Sequence, residues 1–169
     1  MNKGFFVLVA GIAISGPQDA NANDGPSDLW IQATITRESS GDDKAIGDKF
    51  RKGKLRPESK WAYGPLQIRQ PACDDVNKRF GTNYRSCEMF GDRALSIRVC
   101  RLYLSIYATE ARLGRKVTDE DCSRIWNGGP DAWMEEKKWI TDKYWAKISQ
   151  TLADLRKVGD KGAEKKSKG

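Results

Sequence analysis

The sequence predicts an α+β domain that is mostly helical, a helical body carrying one small β lobe. Three observations predict it. Apolar residues recur at helical spacing in several separate segments. The one long stretch without that spacing, residues 40–60, is rich in glycine and charge and runs into a short aromatic segment. The 169 residues, 38% apolar and 31% charged, suit one soluble domain and fall short of two.

Residues 1–22 read as an address, not as fold. Met1-Asn2-Lys3 is positive, residues 4–14 are an apolar run, Gly16-Pro17 breaks it, and Ala20-Asn21-Ala22 has the form of a cleavage site. That is the pattern of a secretory signal peptide, too short to span a bilayer comfortably. The expected location is therefore secreted or periplasmic, with no transmembrane anchor after processing. The domain is expected over residues 23–155.

Within it, Ser27 or Asp28 can cap a first helix over residues 29–39. Ile31, Ile35 and Glu38 share one face of that helix, and Gly41 ends it. Residues 40–60 are expected as loop or short hairpin. Residues 61–68, Trp-Ala-Tyr-Gly-Pro-Leu-Gln-Ile, read as a short strand turning at Gly64-Pro65. Pro71 fits the first turn of a short helix that reaches Phe80, with Gly81 beyond it. From Asp92 the helical signal is strongest: Leu95, Val99, Leu102 and Ile106 form a stripe, so this helix is expected at the centre. Thr118-Asp119-Glu120-Asp121 has capping-box form, and Asn127-Gly128-Gly129-Pro130 stops the helix it opens. A last helix starts at Thr141 or Asp142 and packs through Tyr144, Ile148, Leu152 and Leu155. Residues 156–169 hold six bases and two acids and are expected as a basic disordered tail.

Cys73, Cys87, Cys100 and Cys122 all follow the signal peptide, and an oxidising compartment favours two disulfides among them. Four cysteines allow three pairings. The sequential one, Cys73 with Cys87 and Cys100 with Cys122, closes loops of 15 and 23 residues. Such loops stabilise by about 3 kcal/mol each in the chain-entropy model. No C-x-x-C pair points to zinc, and neither a metal nor a cofactor is expected.

The chain has no histidine. That removes Ser-His-Asp and Cys-His nucleophile systems, histidine-ligated zinc and any imidazole base. Proton transfer near neutral pH then falls to carboxylates, Lys, Tyr or Cys. Glu38 is the leading candidate, at the end of an apolar helix face where desolvation favours the protonated acid. A second carboxylate is expected from the polar loop: Asp48, with Asp42, Asp43 and Glu58 as the other options. Such a pair is the glycosidase arrangement. Aromatic faces and amides that suit a saccharide are available at Trp61, Tyr63, Gln67, Trp126, Asn127 and Trp133.

In order along the chain stand Glu38-Ser39, Asp48, Tyr63-Gly64-Pro65-Leu66-Gln67-Ile68, the four cysteines, Arg124-Ile125-Trp126-Asn127-Gly128-Gly129-Pro130 and Tyr144-Trp145. This order resembles the lysozyme superfamily, and most closely the invertebrate-type lysozymes, from about Leu29 to Leu152. The resemblance implies a lysozyme-like fold and cleavage of the β-1,4 bond between N-acetylmuramic acid and N-acetylglucosamine. It implies Glu38 as general acid and Asp48 as nucleophile or cation stabiliser. Trp126 stands where the family usually has histidine. Lytic transglycosylases share the glutamate and the general fold without needing a second carboxylate, so that reaction is the alternative. A non-catalytic wall-binding protein is a third reading. The expected partner is the glycan strand of peptidoglycan, bound by a monomer; nucleic acid is not expected.

Overall fold

The computed structural model describes residues 25–166. The signal-peptide expectation for residues 1–22 lies outside them. Helix α1 spans Asp28–Ser39 and starts where Ser27 accepts the Trp30 N–H at 3.1 Å. It ends on Ser40 in the left-handed region, one residue before Gly41. Ser40 N–H then bonds the Thr36 carbonyl, which satisfies one of the last orphan acceptors. Trp30, Ile31, Ala33, Thr34 and Ile35 are all buried, so α1 runs through the core.

The β lobe follows. Strand β1 (Ile46–Gly47) and strand β4 (Ala62–Tyr63) pair antiparallel, Ile46 opposite Tyr63. Between them β2 (Phe50–Arg51) and β3 (Lys54–Leu55) form a hairpin of their own. After β4 the chain doubles back: Tyr63 and Ile68 exchange backbone hydrogen bonds of 3.0 and 2.9 Å around the Gly64–Gln67 turn. Gly64 is required there. Its φ is +73°, and a Cβ would lie 2.4 Å from the Met89 carbonyl oxygen.

Helix α2 (Gln70–Phe80) has proline in its first turn and ends on Gly81 at φ 66°, as its sequence predicts. Helix α3 spans Arg93–Tyr107, capped by Asp92 accepting from the Leu95 N–H. Its buried side is Ser96, Val99, Cys100, Tyr103 and Leu104, while Leu95, Leu102 and Ile106 are half-buried. The expected stripe is thus rotated, and a smaller share of α3 than of α1 is buried. A one-turn helix α4 (Glu110–Leu113) leads to α5 (Asp119–Gly128). Its Thr118–Asp121 capping box forms as expected, and Gly129 ends it.

The last helix, α6 (Asp142–Lys166), lies along α1 and against α5. Arg124, 5% exposed, fixes its start. That guanidinium donates to the Lys138 carbonyl, Thr141 Oγ1 and Asp142 Oδ1 at 2.7, 3.0 and 2.8 Å, and to Glu120 Oε1 at 2.8 Å. Helix α6 continues through Lys166, which corrects the expectation of disorder beyond Leu155. Residues 156–166 contain no proline and are mostly good helix formers; Lys157 pairs with Asp154 one turn earlier.

The cysteines bring a second correction. Cys73, Cys87, Cys100 and Cys122 are free thiols in this structure, so neither expected disulfide is formed. Cys73, Cys100 and Cys122 are buried and serve as small apolar groups of the core. Burial pushes the Cys73 and Cys122 thiols up to about 12, which holds them protonated and unreactive.

Candidate active site

The end of α1, the β lobe and the end of α5 enclose a cleft of about 450 Å³. Glu38, Asp48, Gln67, Arg69, Trp126 and Asn127 all line it. Glu38 stands on the last turn of α1, half-buried. Tyr144, from the first turns of α6, donates its hydroxyl to Glu38 Oε1 at 2.7 Å. Burial raises the Glu38 carboxyl above the usual carboxylate range. The Tyr144 bond opposes that rise, as do the Arg69 and Arg37 charges, while the Asp48 charge adds to it. Burial, and then the Glu38 charge, push the Tyr144 phenol far up, so it serves as a fixed donor.

Asp48 sits between β1 and β2 with φ 57°, a left-handed conformation that aspartate tolerates better than most residues. Its carboxylate is held by Arg69, whose Nε donates to Oδ2 at 2.6 Å and whose Nη2 also reaches it. Arg56 Nη1 lies 3.8 Å from the other oxygen. Asp48 therefore enters the cleft as half of an ion pair, with its charge matched by a guanidinium that itself lines the cleft.

Gln67 has φ 52°, and its amide donates to the Gly64 carbonyl at 2.9 Å. Gly47 makes room for it: a Cβ on Gly47 would lie 2.0 Å from Gln67 Oε1. Asn127 belongs to the last turn of α5. Trp126, half-buried, meets Tyr103 edge to face at 5.7 Å.

The structure thus brings together Glu38, Asp48, Gln67, Trp126 and Asn127. Tyr63 is corrected. It is 8% exposed, paired across the sheet with Ile46 and outside the cleft. Two-residue strands offer no alternation from which its inward direction follows. Asp42 accepts from the Lys44 N–H, Asp43 pairs with Arg93, and neither they nor Glu58 line the cleft. Trp61 and Trp133 also lie outside the lining. Sequence reasoning missed Arg69, Tyr103 and the bond from Tyr144. Arg69 had a signal, two residues beyond Gln67; Tyr103 shares a helix face with Val99 and Cys100, which made it look like core.

No group of three metal-ligating side chains occurs among the described residues. No helix among them is long and apolar enough to cross a membrane. A scan against protein-family models finds no match, and a search of curated proteins finds none. What the arrangement can do follows from its parts. A desolvated acid with a lifted proton affinity shares one cleft with an ion-paired carboxylate, two amides and an indole, a set of groups suited to acid-assisted bond cleavage.

Proposed function

We propose that this protein is a peptidoglycan hydrolase, a muramidase of lysozyme-like fold exported to the cell wall. The observation that carries the reading is Glu38, held with a raised proton affinity in a cleft it shares with Asp48. Glu38 gives its proton to the glycosidic oxygen between N-acetylmuramic acid and N-acetylglucosamine as the C1–O bond breaks. Positive charge grows at the muramyl C1, and Asp48 meets it as a covalent nucleophile or as a counter-charge. The Glu38 carboxylate then takes a proton from the attacking water and returns to its starting state. The Gln67 and Asn127 amides suit hydroxyl and acetamido groups, and the Trp126 face suits a sugar ring.

The Asp48–Arg69 pair favours a second reading. A carboxylate already neutralised by a guanidinium is a poor nucleophile and a weak counter-charge. A lytic transglycosylase needs neither. The muramyl 6-hydroxyl closes on C1, Glu38 accepts its proton, and a 1,6-anhydro end results. Mass spectrometry of products from native peptidoglycan decides between them, run beside Glu38→Gln. Reducing muramic ends support the hydrolase and 1,6-anhydro ends the transglycosylase. A Glu38→Gln protein that keeps full activity refutes both.

A further inference from the structure

The β2–β3 hairpin takes no part in the proposed chemistry, yet it is unusually built. Its turn residues, Lys52 and Gly53, both have positive φ, 51° and 76°, the two-residue turn whose twist suits a tight hairpin. Phe50 stands opposite Leu55, and Arg51 opposite Lys54. Successive side chains of a strand point to opposite faces, so one face of the hairpin is an apolar pair and the other a basic pair. Phe50 is 65% exposed and Leu55 is 64% exposed. Arg51, Lys52 and Lys54 are exposed and enter no ion pair among the described residues. Residues 49–57 contain no acid at all.

In water both faces are unfavourable. Like charges directly opposite repel, and two large apolar side chains stay wet. The root is nevertheless firm. Arg56 N–H bonds the Lys49 carbonyl at 2.7 Å, Trp61 Nε1–H bonds the Arg56 carbonyl at 2.9 Å, and the Lys49 ammonium stands 5.4 Å over the Trp61 ring. A fixed stalk thus carries a tip that is apolar on one side and cationic on the other.

We infer that this hairpin docks on an anionic phospholipid surface, Phe50 and Leu55 entering the headgroup region while Arg51, Lys52 and Lys54 meet the phosphates. Both costs become gains there: the apolar pair leaves water, and the cations meet the negative surface potential. A hydrated polyanion, such as a wall polymer or nucleic acid, would satisfy the cations and leave the Phe50–Leu55 face unburied. Asp48 lies two residues before β2, so a docked hairpin would hold the cleft beside the bilayer. The inference stands on the hairpin alone and survives if the proposed chemistry fails.

The test is sedimentation of the full purified chain with vesicles. Binding is expected to vesicles of mixed phosphatidylglycerol and phosphatidylcholine, to weaken with added salt, and to be absent with phosphatidylcholine alone. Phe50→Ser with Leu55→Ser is expected to lower partitioning about tenfold. Arg51→Gln, Lys52→Gln and Lys54→Gln together are expected to lower it about a hundredfold. All these positions are exposed, and an unchanged melting temperature checks that the variants fold. Loss of binding on changing Lys157, Lys161, Lys165 and Lys166 to Gln, with both hairpin variants binding like the parent, would overturn the inference. So would a parent that sediments with isolated wall sacculi and not with anionic vesicles.

Discussion

Replacing Tyr144 with Phe removes one oxygen and tests the proton affinity on which the proposed chemistry depends. The hydroxyl donates to Glu38 Oε1 at 2.7 Å, so it stabilises the ionised carboxylate more than the protonated acid. A hydrogen bond to a charged group contributes about 1.5–3 kcal/mol, and one to a neutral group about 0.5–1.5 kcal/mol. The difference, about 1–1.5 kcal/mol, converts at 1.36 kcal/mol per unit to an upward move of about one pH unit. Burial already raises Glu38, and the Tyr144→Phe variant would leave that effect less opposed. The general acid is needed protonated, so the alkaline limb of kcat/KM on peptidoglycan is expected to move up by about one unit while the acid limb stays. Initial rates of clearing of a wall suspension, taken from about pH 4 to about pH 9, measure it. Stability carries the same sign. A carboxyl raised in the native state contributes its stability below the ordinary value of 4.5 and loses it as pH rises through the native value. Urea unfolding of the variant is therefore expected to show a deeper loss above 4.5 than the parent. An alkaline limb that stays put, or moves down, refutes the claim that this phenol sets the acid.

Glu38→Gln is expected to cut the rate of wall clearing by about 10²–10⁴-fold and to flatten the fall in stability above pH 4.5, both read on the same samples. Asp48→Asn separates the two readings of the chemistry: a hydrolase loses most of its turnover, whereas a transglycosylase keeps releasing 1,6-anhydro ends, as product mass spectra would record. Gly47→Ala places a methyl 2.0 Å from Gln67 Oε1 and displaces that amide; a misplacement near 1 Å costs about 10²-fold in kcat/KM, with circular dichroism unchanged. Arg124→Met takes the guanidinium donor from Thr141 Oγ1 and leaves the Lys138 carbonyl with only its Thr141 donors, which loosens the start of α6. About 2 kcal/mol lower stability is expected by urea titration, discounted because Glu120 and Asp142 keep contact with water.

The features legible in the sequence are those that chain-local chemistry dictates. Ser27, Asp92 and Thr118 cap helices because their side chains reach amides two or three residues on, a matter of spacing alone. Gly81 ends α2 because the left-handed conformation there suits it. Glu38 was legible for a similar reason: helical period puts it on the face that Ile31 and Ile35 bury. Partners contributed from distant segments were not legible. The Tyr144 phenol meets Glu38 across 106 residues, and Arg69 meets Asp48 across 21. Tyr63 shows the limit of pattern in a strand of two residues, where either face is equally consistent with the sequence. The cysteine count pointed to cross-links, yet a buried thiol packs as well as a methyl group, and the count carries no information on which role is filled.

The lengthwise packing of α6 on α1 joins the first helix of the described chain to its last. A polypeptide synthesised N-terminus first presents the Glu38 carboxyl early and gains the Tyr144 phenol only when the final helix has been made. A chain cut short before residue 141 therefore carries that carboxyl without the phenol that donates to it.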